Sequence, residues 1–157
     1  MTENDSLLTV RVRRLPHAVA GLPARMTAGS SGFDLPAAVP EPVTLAAGAS
    51  VVVPTGLALE IPEGFEGQVR PRSGLARRHG ITVLNSPGTI DADYRGEVAV
   101  ILINHGPDPH VIERGARVAQ LVIQQLTPVR FEEVGQLSVT DRGGGGFGST
   151  GTGQPTA

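Results

Sequence analysis

Apolar residues in this chain never run far before a glycine or proline interrupts them, and that punctuation constrains the fold more than any other feature. Short apolar stretches at Val43–Leu45, Ser50–Val53, Leu57–Ile61, Gln68–Arg70 and Ile81–Leu84 are separated by AAGA, PTG, PEG, EG and NSPG. Proline removes a backbone donor and glycine loses the most entropy when ordered, so neither suits a helix interior. With 21 Gly and 13 Pro among 157 residues, the two make up about a fifth of the chain, against about an eighth in average usage. A helical bundle is excluded. The rhythm predicts an all-β domain of many short strands, a sandwich or barrel, with at most one short helix.

Finer patterning fits that frame. Leu7–Arg13 ends in apolar–basic alternation, which suits a half-exposed strand, whereas Leu15–Pro36 has no clear period and reads as irregular. Ser73–Gly80 (SGLARRHG) is the one short-helix candidate, with Ser73 placed to cap it and Gly80 to end it. Gly96–Asn104 is apolar on both faces from Val98 to Ile103, so an opposing sheet or another subunit must cover each side. Arg117–Leu126 is mostly apolar, with Gln120 embedded in it.

Composition removes whole classes of function. Without cysteine there is no disulfide scaffold, thiol nucleophile or zinc–cysteine site. All 13 basic residues are arginine, which excludes a Schiff-base lysine and a P-loop lysine. A net charge of −2 gives no field for nucleic acid, and no apolar run approaches the ~18 residues of a membrane span. Met1–Val10 carries acidic residues and no basic n-region, unlike a secretory signal. The expected setting is cytoplasmic, with neither nucleic acid nor membrane as partner.

Three segments concentrate chemistry. In the tail, Gly143 and Gly148 followed by Ser149 and Thr150 give a Walker-like spacing without its lysine. Such a stretch is either a solvated glycine tail or an anion clasp, in which backbone N–H groups, hydroxyls and Arg142 hold phosphate while Phe147 stacks on a base. Pro71–Ala76 (PRSGLA) is either a plain capped turn or a place where N–H groups and Arg72 converge on an anion. Asn85–Glu97 (NSPGTIDADYRGE) holds Asp91, Asp93 and Glu97 beside Tyr94 and Arg95. Those acids suit a general base for water, a polar hairpin turned at NSPG, or Mg²⁺ ligands sharing the ion with substrate phosphates. Asp34 reads as a lone turn acid and Gln120 as a buried amide needing partners. His17, His79, His105 and His110 show no ligand spacing.

Five stretches in order, Ala28–Ala37 (AGSSGFDLPA), Pro71–Ala76, Asn85–Glu97, Arg117–Ile123 (RVAQLVI) and Arg142–Gly151 (RGGGGFGSTG), resemble the five motifs of the trimeric dUTP pyrophosphatase family. The likeness extends from about Leu7 to Gly151 and departs only in the arm, where that family often carries an acidic residue amid the glycines. It implies a jelly-roll-like β barrel assembled as a homotrimer with shared active sites. The implied reaction hydrolyses dUTP to dUMP and pyrophosphate with Mg²⁺ held chiefly by substrate phosphates. By the resemblance, Asp91 activates water, Tyr94 excludes a 2′-hydroxyl, and Asn85, Thr89 and the adjoining backbone read uracil. Arg72, Ser73, Gly74 and Gln120 hold phosphates, while Asp34 acts on the metal through water. In the arm, Phe147 stacks on uracil and Arg142, Gly148, Ser149 and Thr150 clasp the outer phosphates. Residues 1–140 are thus expected to form the β domain. Residues 141–157 form a flexible Gly-rich arm, part of the site to about residue 151 and a disordered tail beyond.

Two alternatives remain. The related dCTP deaminases need a glutamate where this chain has Ile101, which cannot move protons. A non-catalytic trimeric nucleotide-binding module is disfavoured by the intact Asp91, Tyr94, Arg142 and Phe147.

Overall fold

The computed structural model describes residues 7–146, so Phe147, Gly148, Ser149 and Thr150 lie outside the described residues. The strands are β1 (Arg11–Arg14), β2 (Phe33–Pro36), β3 (Val43–Leu45), β4 (Ser50–Glu60), β5 (Phe65–Arg70), β6 (Ile81–Val83), β7 (Gly88–Ile90), β8 (Glu97–Asn104), β9 (His110–Ile112) and β10 (Arg117–Gln125). One helix, α1 (Ser73–His79), joins β5 to β6. Two four-stranded sheets run in the orders β1-β4-β8-β6 and β2-β10-β5-β7, with β3 and β9 as a separate pair. All pairings are antiparallel. Among the described residues no helix is long and apolar enough to cross a membrane.

The two sheets close on one core. Leu35, Val69, Ile90 and Leu121 from one sheet and Val53, Leu59, Val100 and Leu102 from the other belong to a single buried cluster. Its buried members are all aliphatic, and Phe33 and Phe65 pack against it from partly buried positions. The buried Asn104 donates to the carbonyls of Leu45 and Asp108 at 3.0 and 2.9 Å and accepts from the Gly106 N–H at 2.8 Å. Its amide thereby ties β8 to β3 and to the loop before β9 without leaving a polar atom unpaired.

Four local readings change. Leu15–Pro36, read as irregular, ends in strand β2 from Phe33, because pairing with β10 supplies the order that the local pattern lacks. The PTG expected to separate two strands lies inside β4, where the β4–β8 register shifts between Pro54 and Leu57. Thr55 Oγ1 donates to the Val98 carbonyl and Gly56 takes φ +71°, so the segment forms a bulge instead of a turn. NSPG does not turn a hairpin either, because β6 pairs with β8 and β7 pairs with β5 in the opposite sheet. Finally, Arg72 occupies the helix N-cap and makes no side-chain capping bond, which leaves Ser73 as the first helical residue. Gly80 does end the helix, in the left-handed conformation expected of it.

The two faces of β8 part company. Val98, Val100, Leu102 and Asn104 are buried, while Ala99, Ile101 and Ile103 face outward beside β4. Val52, the register partner of Ile101, is 61% exposed. The opposing sheet therefore covers only one of the two apolar faces.

Candidate active site

The central strand β10 organises the first half of the site. Gln120 pairs in register with Asp34 of β2 on one side and Arg70 of β5 on the other. After Arg70 the chain turns through Pro71 and Arg72 into α1, which brings Arg72, Ser73 and Gly74 over the end of the sheet. A cleft of about 420 Å³ results, lined by Met26, Ser30, Ser31, Gly32, Asp34, Arg72, Ser73, Gly74 and Gln120. It contains every residue expected to hold phosphate outside the arm, and Asp34 as well.

Ion pairs stiffen this cleft. Arg72 Nε lies 3.1 Å from Asp34 Oδ1, and Arg117 Nη1 lies 3.1 Å from Oδ2, with the Asp34 side chain only 16% exposed. Arg72 Nη1 also donates to the Arg117 carbonyl at 2.9 Å. Gln120 Nε2 donates to the Pro71 carbonyl at 2.9 Å. A Cβ on Gly32 would fall 2.2 Å from Gln120 Oε1, so the absence of a side chain there lets the amide lie flat. Asp34 is thus no lone turn acid. It is the anion between two guanidiniums, and partial burial makes those pairs worth more than exposed ones.

The second half is shaped, with little charge. A slot of about 270 Å³ is lined by Val52, Val69, Asn85, Gly88, Thr89, Ile90, Tyr94, Glu97, Val98, Ala99 and Ile101. Gly88 leaves room for Asn85, whose Nδ2 lies 3.3 Å from where a Cβ would stand. Gly96 lets the tyrosine ring approach the backbone, since a Cβ there would meet Tyr94 Oη at 2.4 Å. The hydroxyl of Tyr94 donates to the Glu97 carbonyl at 3.0 Å, closing the turn. Asp91 follows β7 directly and is exposed, lining neither cleft.

No described residue lines both clefts. Arg142 lines neither and sits on the exposed chain beyond β10, where its Nε donates to the Gly145 carbonyl at 2.9 Å. A larger groove of about 520 Å³ between β1 and the turn at Ala92–Arg95 carries none of the expected site residues. Arg117 is the one close participant that residue-by-residue reading did not single out. Its signal lay in the RVAQLVI stretch, but the partner that gives it meaning, Asp34, is 83 positions away.

Fold and clefts together define an all-β barrel with one cleft lined by the paired Arg72 and Asp34 and a separate slot whose one charged lining residue is Glu97. The dUTPase family model matches residues 19–151, and the chain belongs to the dUTPase family. It is 59% identical over 154 residues to a deoxyuridine 5'-triphosphate nucleotidohydrolase of Sinorhizobium medicae (strain WSM419), covering 95% of this chain and 96% of that one. The dUTPase of Staphylococcus bacteriophage 80alpha with dUpNHpp superposes with a TM-score of 0.80 at 28% identity, over 91% of this chain and 98% of that one. A mutant dUTPase of the S. aureus phage phi11, described with a structural Mg(II) ion, gives 0.71 at 25% identity, over 82% and 97%.

Proposed function

We propose that the protein hydrolyses dUTP to dUMP and pyrophosphate, in active sites completed between the three chains of a homotrimer. The observation that carries this reading is the separation of an oxyanion cleft from a base-sized slot in a chain of the dUTPase family. The matched phage enzyme with dUpNHpp, a triphosphate analogue of the same nucleoside, supports the substrate class. Two clefts on one chain that share no wall suit a nucleotide whose base rests in one copy and whose phosphates rest in the next. The outward apolar face of β4 and β8, with Val52 and Ile101, suits burial against other copies of this chain.

In this mechanism Asn85, Thr89 and the β7 backbone read the uracil edge, and Tyr94 denies space to a 2′-hydroxyl. Arg72, Ser73, Gly74 and Gln120 hold the phosphates, and Arg117 reinforces Arg72 through Asp34. Asp91 accepts a proton from water as the water oxygen bonds to the α-phosphorus and the bond to the departing pyrophosphate breaks. From the arm, Arg142, Gly148, Ser149 and Thr150 clasp the outer phosphates and Phe147 covers the base. The cytoplasm, where nucleotide pools turn over, is the proposed compartment.

Mg²⁺ fits only as an ion carried by the substrate. Among the described residues no three His, Cys, Asp or Glu side chains converge on one point, and both Asp34 oxygens already face guanidiniums. Bound to the triphosphate, the ion would neutralise charge developing on the leaving group. Any contact of Asp34 with that ion runs through water, as proposed for it, and competes with the two arginines. Deamination is not favoured, since Ile101 in the slot wall offers no group to move protons.

Pyrophosphate release from dUTP, UTP, dTTP and dCTP, with and without Mg²⁺, tests the reading. Turnover of dUTP alone is expected, and an enzyme inert on dUTP sinks it. Arg142→Ala should lose about 10²–10³ in rate, as for removal of one good transition-state donor. Unaltered turnover in that variant would dismiss the arm.

A further inference from the structure

Behind the slot lies a polar assembly that no role above accounts for. The bulged residue Gly56 of β4 is tied at every atom it offers. Its N–H donates to Glu97 Oε1 at 2.7 Å, and its carbonyl accepts from the Leu15 N–H at 2.8 Å. The position of a Cβ on Gly56 would be 2.4 Å from Ala18 Cα, so the segment at residues 15–18 lies directly on the bulge. The same Glu97 oxygen lies 2.8 Å from His17 Nε2. Arg114 fixes that segment from the other side, donating to the carbonyls of His17 at 2.7 Å and Val39 at 3.1 Å. At its main chain, Glu97 accepts the hydroxyl of Tyr94.

Glu97 is therefore held at its carboxylate by the bulge and the His17 turn, and holds Tyr94 with its carbonyl. Neither the bulge nor the turn lines the slot. Their one shared side-chain contact at this end of the slot is Glu97. We infer that Glu97 is a positioning residue for Tyr94, and that the His17 turn serves through it as the outer support of the slot's sugar end. The sugar assignment rests on the dUTPase reading; the support of Tyr94 does not. A ring braced this way excludes an extra hydroxyl because it cannot yield, and small misplacements of a positioned group are costly.

The chain supplies its own reporter. Tyr94 is the single tyrosine and there is no tryptophan, so tyrosine emission reports on this ring alone, whether or not the protein turns over. Glu97→Ala should lower the dUTP-over-UTP ratio of kcat/KM by about tenfold, within the range a lost shape contact commands, and should shift the Tyr94 signal. Glu97→Gln keeps an oxygen for the Gly56 N–H and should restore both to near wild type. His17→Ala removes one of the two carboxylate partners from an exposed position and should give a smaller change in the same direction. If circular dichroism shows Glu97→Ala unfolded, His17→Ala decides the matter. The inference is overturned by unchanged selectivity and Tyr94 signal in the folded variants, or by Glu97→Gln being as damaging as Glu97→Ala. A wild type inactive on dUTP would remove the functional reading, while the Tyr94 signal would still decide the positioning.

Discussion

The two clefts are built on opposite principles. The oxyanion cleft is held by charge: Asp34 sits between Arg72 and Arg117, and long flexible side chains are fixed by partners within 3.1 Å. The slot is held by shape: glycines at 88 and 96 admit Asn85 and Tyr94 against backbone, and one carbonyl takes the tyrosine hydroxyl. Charge tolerates small shifts in geometry and is screened by salt, whereas shape ignores salt and fails over a fraction of an ångström. Binding strength and selectivity are thereby assigned to different physics, and each can be broken without the other.

Between a break in shape and a break in charge, Gly96→Ala should cost more than Asp34→Asn. The added methyl cannot coexist with the tyrosine ring where it now lies, so the ring must move. A loss of about 10² in kcat/KM for dUTP is expected, as for a misplaced positioning group, with a collapse of the dUTP-over-UTP ratio. Steady-state kinetics on both nucleotides would show it. Asp34→Asn should cost less, about 10- to 100-fold, matching 1–3 kcal/mol for a partly buried charged hydrogen-bonded group. It should leave the ratio untouched, because both nucleotides carry the same triphosphate. A changed ratio in Asp34→Asn would mean the two clefts are mechanically coupled. Raising the salt concentration is milder still: KM should rise for both nucleotides together while selectivity stays constant.

The smallest expected effect lies away from both clefts. His79, at the end of α1, and His110 of β9 approach with ring centroids 4.7 Å apart. Burial first, and the neighbouring His79 second, hold His110 below its ordinary 6.5. The unfolded chain therefore takes up that proton at a higher pH than the folded one. Stability should fall as pH drops from about 6.5 through the lower folded value, then level off once both states are protonated. Thermal melts of wild type and His110→Gln across this range should differ in slope, with the variant flatter.

Legibility from sequence follows the same division. Val43–Leu45 was readable as a strand to the residue, and the helix end at Gly80 as well, because period and left-handed glycine are local signals. The bulge at Thr55–Gly56 looked like a turn because Pro-Thr-Gly serves either purpose. Only pairing with β8 chooses between them. Likewise the crossing of NSPG from one sheet to the other depends on which strands β6 and β7 meet. In the site, the polar lining of both clefts falls within the motifs, whereas the apolar slot wall of Val52, Val69, Val98, Ala99 and Ile101 does not. The pairing of Asp34 with Arg117 was not legible, since it exists only through the β2–β10 register. Glu97 was visible as one acid among three, with nothing local to connect it to Gly56 or His17.

The separation of the clefts has a consequence for mixtures of chains. In the proposed trimer, a chain ruined in its oxyanion cleft, such as Arg72→Ala, still brings an intact slot. A chain ruined beside the slot, such as Asp91→Asn, still brings an intact cleft. Each alone is dead, yet random co-assembly in equal amounts would give about a quarter of sites an intact half from each parent, by the rotational closure of the ring. Two defective copies would then complement one another, and a copy defective in one half alone would leave its normal counterpart's share of working sites undiminished, because it still brings the other half.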